Sequence, residues 1–524
     1  MKIQSLVIML AVVVGFFLLD GVFTASGQIS TGGPIRIAPY QLSQLASSGN
    51  NVYVLYQQND DNGAHTHVFF IKSSNAGKSF SNPIDFGSAV EPVVSAIGNN
   101  VFLGWESGFT GWPPSNVLFA KSTDGGNTFS KAVTLDSSSN SSSVITQLLS
   151  DGKHLFAVID ELGEKPPYPS DVYLMTSQDN GTTWSDKVEL LPSTISNENP
   201  LGYNVSIQQV KDNLVVIGEK KLDCQNPNLC QYAIFLRTST DFGSRFGPEL
   251  DIAKVWNPTQ LQMISSGNNI YVIWIDGMGG QGPSLFFSKS NDGGSTFSTP
   301  ITLSQNQGES DWPHMVANGK TIYVIWQYNN ENTISKAQYF GQSIPTYMSG
   351  IFFTKSTDGG DTFSEPSKIS GDIGTSYFSG ITISNRNIYA AWTSKHGDNV
   401  QTFFSRSRDN GTTFDNPIEP TGGSDTWFSE ITSSGDNVYI AGSASSRNII
   451  WLKASNDAGA SFGPLTTLNG ATLNLGSGTK TPPPSKVYVS DDQNTSNVIT
   501  LAEVEMPIAA GIAVGVFVFT RKRK

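Results

Sequence analysis

An eight-residue pattern, Ser-x-Asp-x-Gly-x-Thr-Phe, recurs along this chain and limits what it can fold into. It stands at Ser356–Phe363, Ser122–Phe129, Ser177–Trp184, Ser290–Phe297 and Ser407–Phe414. Weaker copies stand at Ser73–Phe80 (Asn75 in the Asp place), Ser239–Phe246 (Arg245 in the Thr place) and Ser455–Phe462 (Ser461 in the Thr place). Eight copies in a chain of 524 residues make a repeat array the first reading to test.

Each copy has a local physical reading. An apolar run precedes it, as in Ile351-Phe352-Phe353, and an aromatic residue closes it. An aspartate at the start of a turn accepts backbone N–H bonds, and glycine takes positive φ without a Cβ clash. The Ser and Thr hydroxyls satisfy further turn groups. The closing ring is an apolar anchor that packs under the turn. Each box is therefore read as a hairpin turn between two strands.

Successive box centres (Asn75, Asp124, Asp179, Asp241, Asp292, Asp358, Asp409, Asp457) lie 48 to 66 residues apart. A second signature precedes several boxes: Gly49-Asn50-Asn51-Val52-Tyr53, Gly98-Asn99-Asn100-Val101-Phe102, Gly267-Asn268-Asn269-Ile270-Tyr271 and Gly435-Asp436-Asn437-Val438-Tyr439. That is a tight turn followed by a β-branched and aromatic strand. Each unit then supplies four strands: a before the Gly-Asn turn, b after it, c before the box and d after it. Four-stranded units at this period predict propeller blades, eight of them, or seven if one repeat is irregular. The abundance of glycine (51 residues) and the low charged fraction (15%) suit an all-β chain with many turns. A net charge of −12 disfavours nucleic acid as a partner.

The boxes resemble the Asp-boxes, or BNR repeats, of the sialidase-like β-propeller superfamily. The resemblance implies that Asp124, Asp179, Asp241, Asp292, Asp358, Asp409 and Asp457 serve the fold, at c–d turns away from the functional face. It does not select a function, because sialidases, other glycosidases and non-catalytic receptors carry such boxes.

The flanks read differently from the array. Residues 1–27 are read as a secretory signal: Lys2, an apolar core from Ile3 to Leu19, then Ala25-Ser26-Gly27, with an uncleaved anchor as the alternative. The propeller is assigned to 28–469. Residues 470–506, with Pro482-Pro483-Pro484, read as a Pro/Ser/Thr/Gly-rich stalk. Residues 507–524 combine an apolar run with Arg521-Lys522-Arg523-Lys524, a membrane anchor or a sorting signal that is removed. Either leaves the propeller outside the cell, at its surface. In that setting Cys224 and Cys230 are expected to pair, with two free thiols as the alternative.

Chemistry is expected in the b–c and d–a connections, opposite the boxes. Residues just after strand b include Glu106, Asp160, Glu219 and Asp276, an arc of carboxylates whose counterparts elsewhere are Gln57, Gln327, Thr393 and Ser443. Two of them could act as acid and nucleophile, or several could hold a cation; an acidic solvated rim is the plain reading. No other cofactor is expected. Tyr40, Trp256, Trp312, Tyr377 and Trp427 are placed at the start of strand a, on the same face, where rings stack on sugars or pack between blades. Trp112 lies in the exposed-looking loop FTGWPPSN, and Gln327–Ser349 reads as a long loop. His65, His67, His314 and His396 read as loop histidines rather than a metal set.

Sialidases grip the substrate carboxylate with three arginines. Ile35-Arg36-Ile37-Ala38-Pro39 is similar to their aromatic-Arg-Ile-Pro motif, without the aromatic and with the proline displaced. Only Arg36 and Arg447 are placed to reach the functional face, so a full triad is not visible. The leading expectation is a surface module that binds a carbohydrate or protein ligand. A glycoside hydrolase of exo-sialidase type, acting through Arg36 and a carboxylate pair, and a structural envelope component are the alternatives.

Overall fold

The computed structural model describes residues 41–468 and two short strands, Val22–Phe23 and Ile29–Ser30. Outside the description lie 60–64, 108–114, 138–140, 164–169, 192–204, 227–228, 257, 278–282, 305–307, 340–341, 397–398, 424 and 445–448. The expected signal, stalk and C-terminal segment, with Arg36, Tyr40, Trp112 and Arg447, are also outside the described residues.

Among the described residues every regular element is a strand, and all pairings are antiparallel. Apart from the two short strands, they form one seven-stranded sheet, five four-stranded sheets and one three-stranded sheet. The seven-stranded sheet is two meanders sharing one strand: Ile84–Ile97 closes the first unit against Phe69 and Phe70 and opens the second against Gly104. In the three-stranded sheet the fourth strand is reduced to one bridge, Phe404 to Ile418. Among the described residues the strands fall into eight consecutive a-b-c-d units, beginning with Gln41–Ser48 and ending with Thr466–Thr467.

The a strands of successive units lie side by side, and that of the eighth, Trp427–Ser434, returns to that of the first. The units close into a ring with strand a innermost, which is a β-propeller arrangement. Buried amide side chains tie these inner strands together. Gln147 accepts from the Ile207 N–H at 3.0 Å and donates to its carbonyl at 3.2 Å. Gln262 accepts from the Met315 N–H at 2.7 Å, and Gln44 takes the Val94 N–H. At the closing seam a carboxylate replaces the amide: Glu430 accepts from the Leu45 N–H at 2.5 Å.

The boxes form as their residues require. In Ser356–Phe363, Asp358 accepts from the Ser356 hydroxyl at 2.7 Å, the Thr362 N–H at 3.0 Å and the Thr362 hydroxyl at 2.6 Å. The Gly360 N–H donates to Ser356 Oγ at 2.8 Å. Asn75 holds its turn with the amide oxygen, which accepts from the Ser79 N–H at 3.0 Å. Each box also touches the preceding unit. Phe363 packs edge-on against Phe287 at 4.8 Å, and Trp184 does the same on Phe119 at 5.0 Å. Lysines ahead of the box serines reach forward, as Lys121 does to the Asn180 carbonyl at 2.8 Å and Lys355 to that of Asn410 at 3.0 Å.

Gly360 shows why glycine is required at the fifth box position. Its φ is +85°, and a Cβ there would lie 2.5 Å from Phe287 Cζ in the preceding unit. Gly360→Ala should cost about 3 kcal/mol, from overpacking added to backbone strain. Gly49, at φ +60° with nothing within 4 Å, makes the control. Gly49→Ala should cost only about 1 kcal/mol, the left-handed penalty alone. Chemical denaturation of both variants checks the contrast.

The box hydroxyls and amides hold the Asp124, Asp179, Asp241, Asp358 and Asp409 carboxyls well below the usual range. In Asp457 the Ser461 and Ser455 hydroxyls lead, bringing it to about 2. In Asp292 burial works upward, but the Thr296 and Ser290 bonds outweigh it and also bring it to about 2. A carboxyl depressed on folding adds stability above its unfolded value and loses it as pH falls through the folded one. The box contribution is therefore complete above about pH 4 and is lost as pH falls through about 2 and lower. Acid titration followed by circular dichroism should place unfolding in that window, and Asp358→Asn should flatten its share.

Candidate functional site

In each unit the box lies at the same end as the a–b turn: the Gly359 N–H bonds the Lys320 carbonyl at 2.8 Å, and the Gly125 N–H that of Asn99 at 2.8 Å. The opposite end of the ring, where strand b stops and strand a begins, forms a rim.

Glu106, Asp160 and Glu219 occupy equivalent places at the rim end of strand b in units two to four, whereas Asp276 lies one residue farther along strand b of unit five, past the equivalent Ile275. All four are buried, at 5%, 2%, 7% and 5% exposure, so they form no solvated acidic rim. The position anchors backbone elsewhere in the ring. Gln57 accepts from the Glu91 N–H at 3.4 Å, and Thr393 Oγ1 from the Phe428 N–H at 2.9 Å. Asp276, one residue past that position, accepts instead from the Trp256 N–H on strand d of the preceding unit, at 3.2 Å. Burial pushes the Asp276 carboxyl up to about 6, against the lowering effect of the Trp256 and Gly277 amides.

Trp256 is not at the start of a strand a. It ends strand d of unit four, Leu250–Trp256, where it pairs with Gln231. The strand runs this far because the neighbouring b–c hairpin is long. That hairpin is pinned near its tip by the Cys224–Cys230 disulfide, whose residues face each other across it. Gln327–Ser349 is likewise strand rather than loop in its backbone: pairing continues from Gln327–Ile351 out to Tyr339–Gln342. Its side chains beyond Asn329 and before Ser349 lie outside the described residues.

Trp312, Tyr377 and Trp427 do lie near the start of strand a. A β-bulge recurs there, and such a bulge re-aims the side chain at its position. It falls between Asp311 and His314 in unit six and between Tyr377 and Ser379 in unit seven. The bulged residues Trp312 and Phe378 have φ of 51° and 46°, unusual for bulky side chains. Trp312 and Phe378 meet edge-on at 5.4 Å. Phe378 also lies 6.1 Å from Tyr377 and 6.3 Å from Trp427 of unit eight. All four are half-buried and form one aromatic collar across three adjacent units.

A polar bridge runs beneath the collar between units five and six. The Trp312 N–H is shared by Gln260 Oε1 at 2.7 Å and Asp311 Oδ1 at 3.0 Å, and the Gln260 amide donates to Asp311. Burial pushes the Asp311 carboxyl up, against these bonds. Farther round, Lys187 lies between Asp136, at 2.5 Å, and Glu161, and stretches over the Tyr173 ring.

Phe378, Gln260, Asp311 and the Lys187 cluster were not among the residues expected from sequence. The available signal for two of them was an aromatic or acidic residue beside an expected one, as in Asp311-Trp312 and Tyr377-Phe378. The arginines with clear partners serve the box end. Arg406 bonds Asp415 at 2.8 Å and the Ala458 carbonyl at 2.8 Å, and Arg237 bonds the Gly247 carbonyl at 3.2 Å. His314 and His396 lie on strands a and b, and His67 on strand c beside Asp85 at 3.1 Å. No group of three or more His, Cys, Asp or Glu placed to hold a metal occurs among the described residues.

No protein-family model matches this sequence, and no curated protein matches it. Similarity to solved structures is distant. An ulvan lyase of a polysaccharide lyase family shares 13% identity over 61% of this chain and 82% of its own, with a TM-score of 0.44. The NanB sialidase of Streptococcus pneumoniae shares 10% over 72% and 84%, with a TM-score of 0.35. An acylaminoacyl peptidase of Pyrococcus horikoshii shares 12% over 76% and 57%, with a TM-score of 0.43. Similarities this distant assign no activity.

Asp276 gives a test of the rim electrostatics. A carboxyl raised on folding favours the protonated native state. Its contribution is intact below the unfolded value near 4 and lost as pH rises through about 6. Asp276→Asn should remove this loss, on the order of 3 kcal/mol, so that the variant gains on the wild type between pH 4 and 7. Parallel thermal scans across that range measure it.

Proposed function

We propose that this chain is an exported, surface-tethered Asp-box propeller of eight blades whose rim binds a neutral polysaccharide. The aromatic collar of Trp312, Tyr377, Phe378 and Trp427 carries this reading. Half-buried rings around the inner strands offer apolar faces and edges of the kind that sugar C–H surfaces pack on, and they lie opposite the boxes. The net charge of −12 favours a neutral polymer over an anionic one. The Cys224–Cys230 bond is in keeping with export. The segments 1–27, 28–469, 470–506 and 507–524 then act as signal, propeller, stalk and anchor. No helix of the described residues is long and apolar enough to cross a membrane, and the proposed anchor lies outside them.

A second reading, glycoside hydrolysis, has one observation in its favour. A buried acid raised to about 6 has the proton affinity a general acid needs. The bond from the Trp256 N–H to Asp276 weighs against it, since that carboxyl already anchors backbone.

Affinity electrophoresis through gels containing hydroxyethyl cellulose, xylan, mannan or laminarin tests both readings alongside a fluorogenic glycoside panel. Retention by at least one polymer, weakened about tenfold by Trp427→Ala, is the expected result. Migration unchanged in every gel overturns the binding reading. Turnover of a glycoside that Asp276→Asn abolishes would put hydrolysis in its place.

A further inference from the structure

The rim contains two acids whose common feature is the backbone they hold. Asp276 lies on strand b of unit five and accepts from the N–H of Trp256, twenty residues earlier on strand d of unit four. Asp311 accepts from the N–H of Trp312 and from the side-chain amide of Gln260, fifty-one residues earlier in the bulge of unit five. Gln260 also accepts from the Trp312 N–H at 2.7 Å. Unit five thus reaches one way to the tryptophan of unit four and the other way to that of unit six.

We propose that Asp276 and Asp311 are positioning residues that fix Trp256 and Trp312 for contact with the bound saccharide by holding their backbone N–H groups. The inference rests on polysaccharide binding at the rim and adds Trp256, with its two anchors, to the binding surface. Three observations carry it. Each acid bonds the main chain of a rim tryptophan directly, so it sets where that residue's Cα–Cβ bond points. At Trp312 the bond holds a bulge at φ 51°, a geometry that a bulky residue keeps only when its surroundings enforce it. Trp256 and Trp312 are both half-buried, so part of each side chain stays open to a ligand. Burial pushes the pKa of both carboxyls up, against the bonds they accept.

The test uses the full-length protein in the same polymer gels, with thermal midpoints recorded at pH 8. Trp256→Ala and Trp312→Ala should each weaken retention about tenfold. Asp276→Ala and Asp311→Ala, which remove the acceptor, should weaken it severalfold, and Asp276→Asn and Asp311→Asn, which keep an oxygen for the N–H, should restore most of it. Gln57→Ala, which removes a backbone anchor in unit one that bonds neither tryptophan, should leave retention unchanged. If the tryptophan variants lose binding but Asp276→Ala and Asp311→Ala bind normally, positioning is overturned and the rim reading stands. If retention falls only in step with the thermal midpoint, the acids serve the fold alone and the proposal is equally overturned. If neither tryptophan variant changes retention, or the wild type is not retained, the proposal falls together with its premise.

Discussion

The contact that the ring depends on is the close approach of each box to the unit before it. A glycine without a Cβ lets the turn settle on a strand-c side chain of its neighbour: Gly126 on Phe70, Gly181 on Phe119, Gly360 on Phe287, Gly411 on Phe353 and Gly459 on Phe404. The closing aromatic meets the same ring edge-on, as Phe129 meets Phe70 at 5.0 Å and Phe414 meets Phe353 at 4.8 Å. A meander alone has two apolar faces and cannot bury both. Repeating this contact at each junction makes every unit the cover of the one before, as in other repeat architectures.

The seam between units eight and one is built differently. The sheets pair only consecutive strands, so no strand crosses from one end of the chain to complete the sheet at the other among the described residues. Gly77, in the first box, meets Ala454 where the other boxes meet phenylalanine or leucine. Polar contacts there join an apolar cluster that packs Leu45, Val54 and Tyr56 of unit one against Tyr439, Ala441 and Leu452 of unit eight. The Glu430 carboxylate holds the Leu45 N–H, Ser47 bonds Thr432 at 3.0 Å, and the Gly49 N–H bonds Ser434 at 2.9 Å. Asn437 and Asn456 add bonds to Gly49 and Ala76. Closing a ring of this length costs loop entropy, and what offsets it is this apolar cluster with its hydroxyl, amide and carboxylate bonds rather than a shared strand.

The box end was legible in the sequence because its physics is local. Asp358, Gly360 and Thr362 satisfy one another within eight residues, so their order in the chain is enough to predict the turn. Strands b and c were legible as β-branched and aromatic runs beside these turns. The rim was not legible in the same way. The bulges that re-aim Trp312 and Phe378 depend on how each strand a packs against its neighbours. The Gln260–Asp311 bond joins residues in different units. Trp256 belongs to strand d rather than to the expected strand a because the extent of strand d follows from the long hairpin beside it, not from the residues around Trp256. Burial of Glu106, Asp160 and Glu219 likewise reflects the radial packing of units, which an alternating strand pattern does not report.

The two ends of the ring differ in where carboxylates are left energetically. At the box end, turn hydroxyls and amides surround each aspartate, and ionisation is favoured by folding. Those carboxylates stabilise the native state at neutral pH and ask nothing further of a ligand. At the rim, Asp276 and Asp311 accept their bonds in shielded positions, and folding disfavours their charge. Neutral groups hold backbone at other rim positions, as Gln57 and Thr393 do, but these two sites carry carboxyls. The rim keeps them, each one bonded to the main chain of a tryptophan that partly faces solvent. That asymmetry separates the end that holds the propeller together from the end where a ligand has a reason to bind.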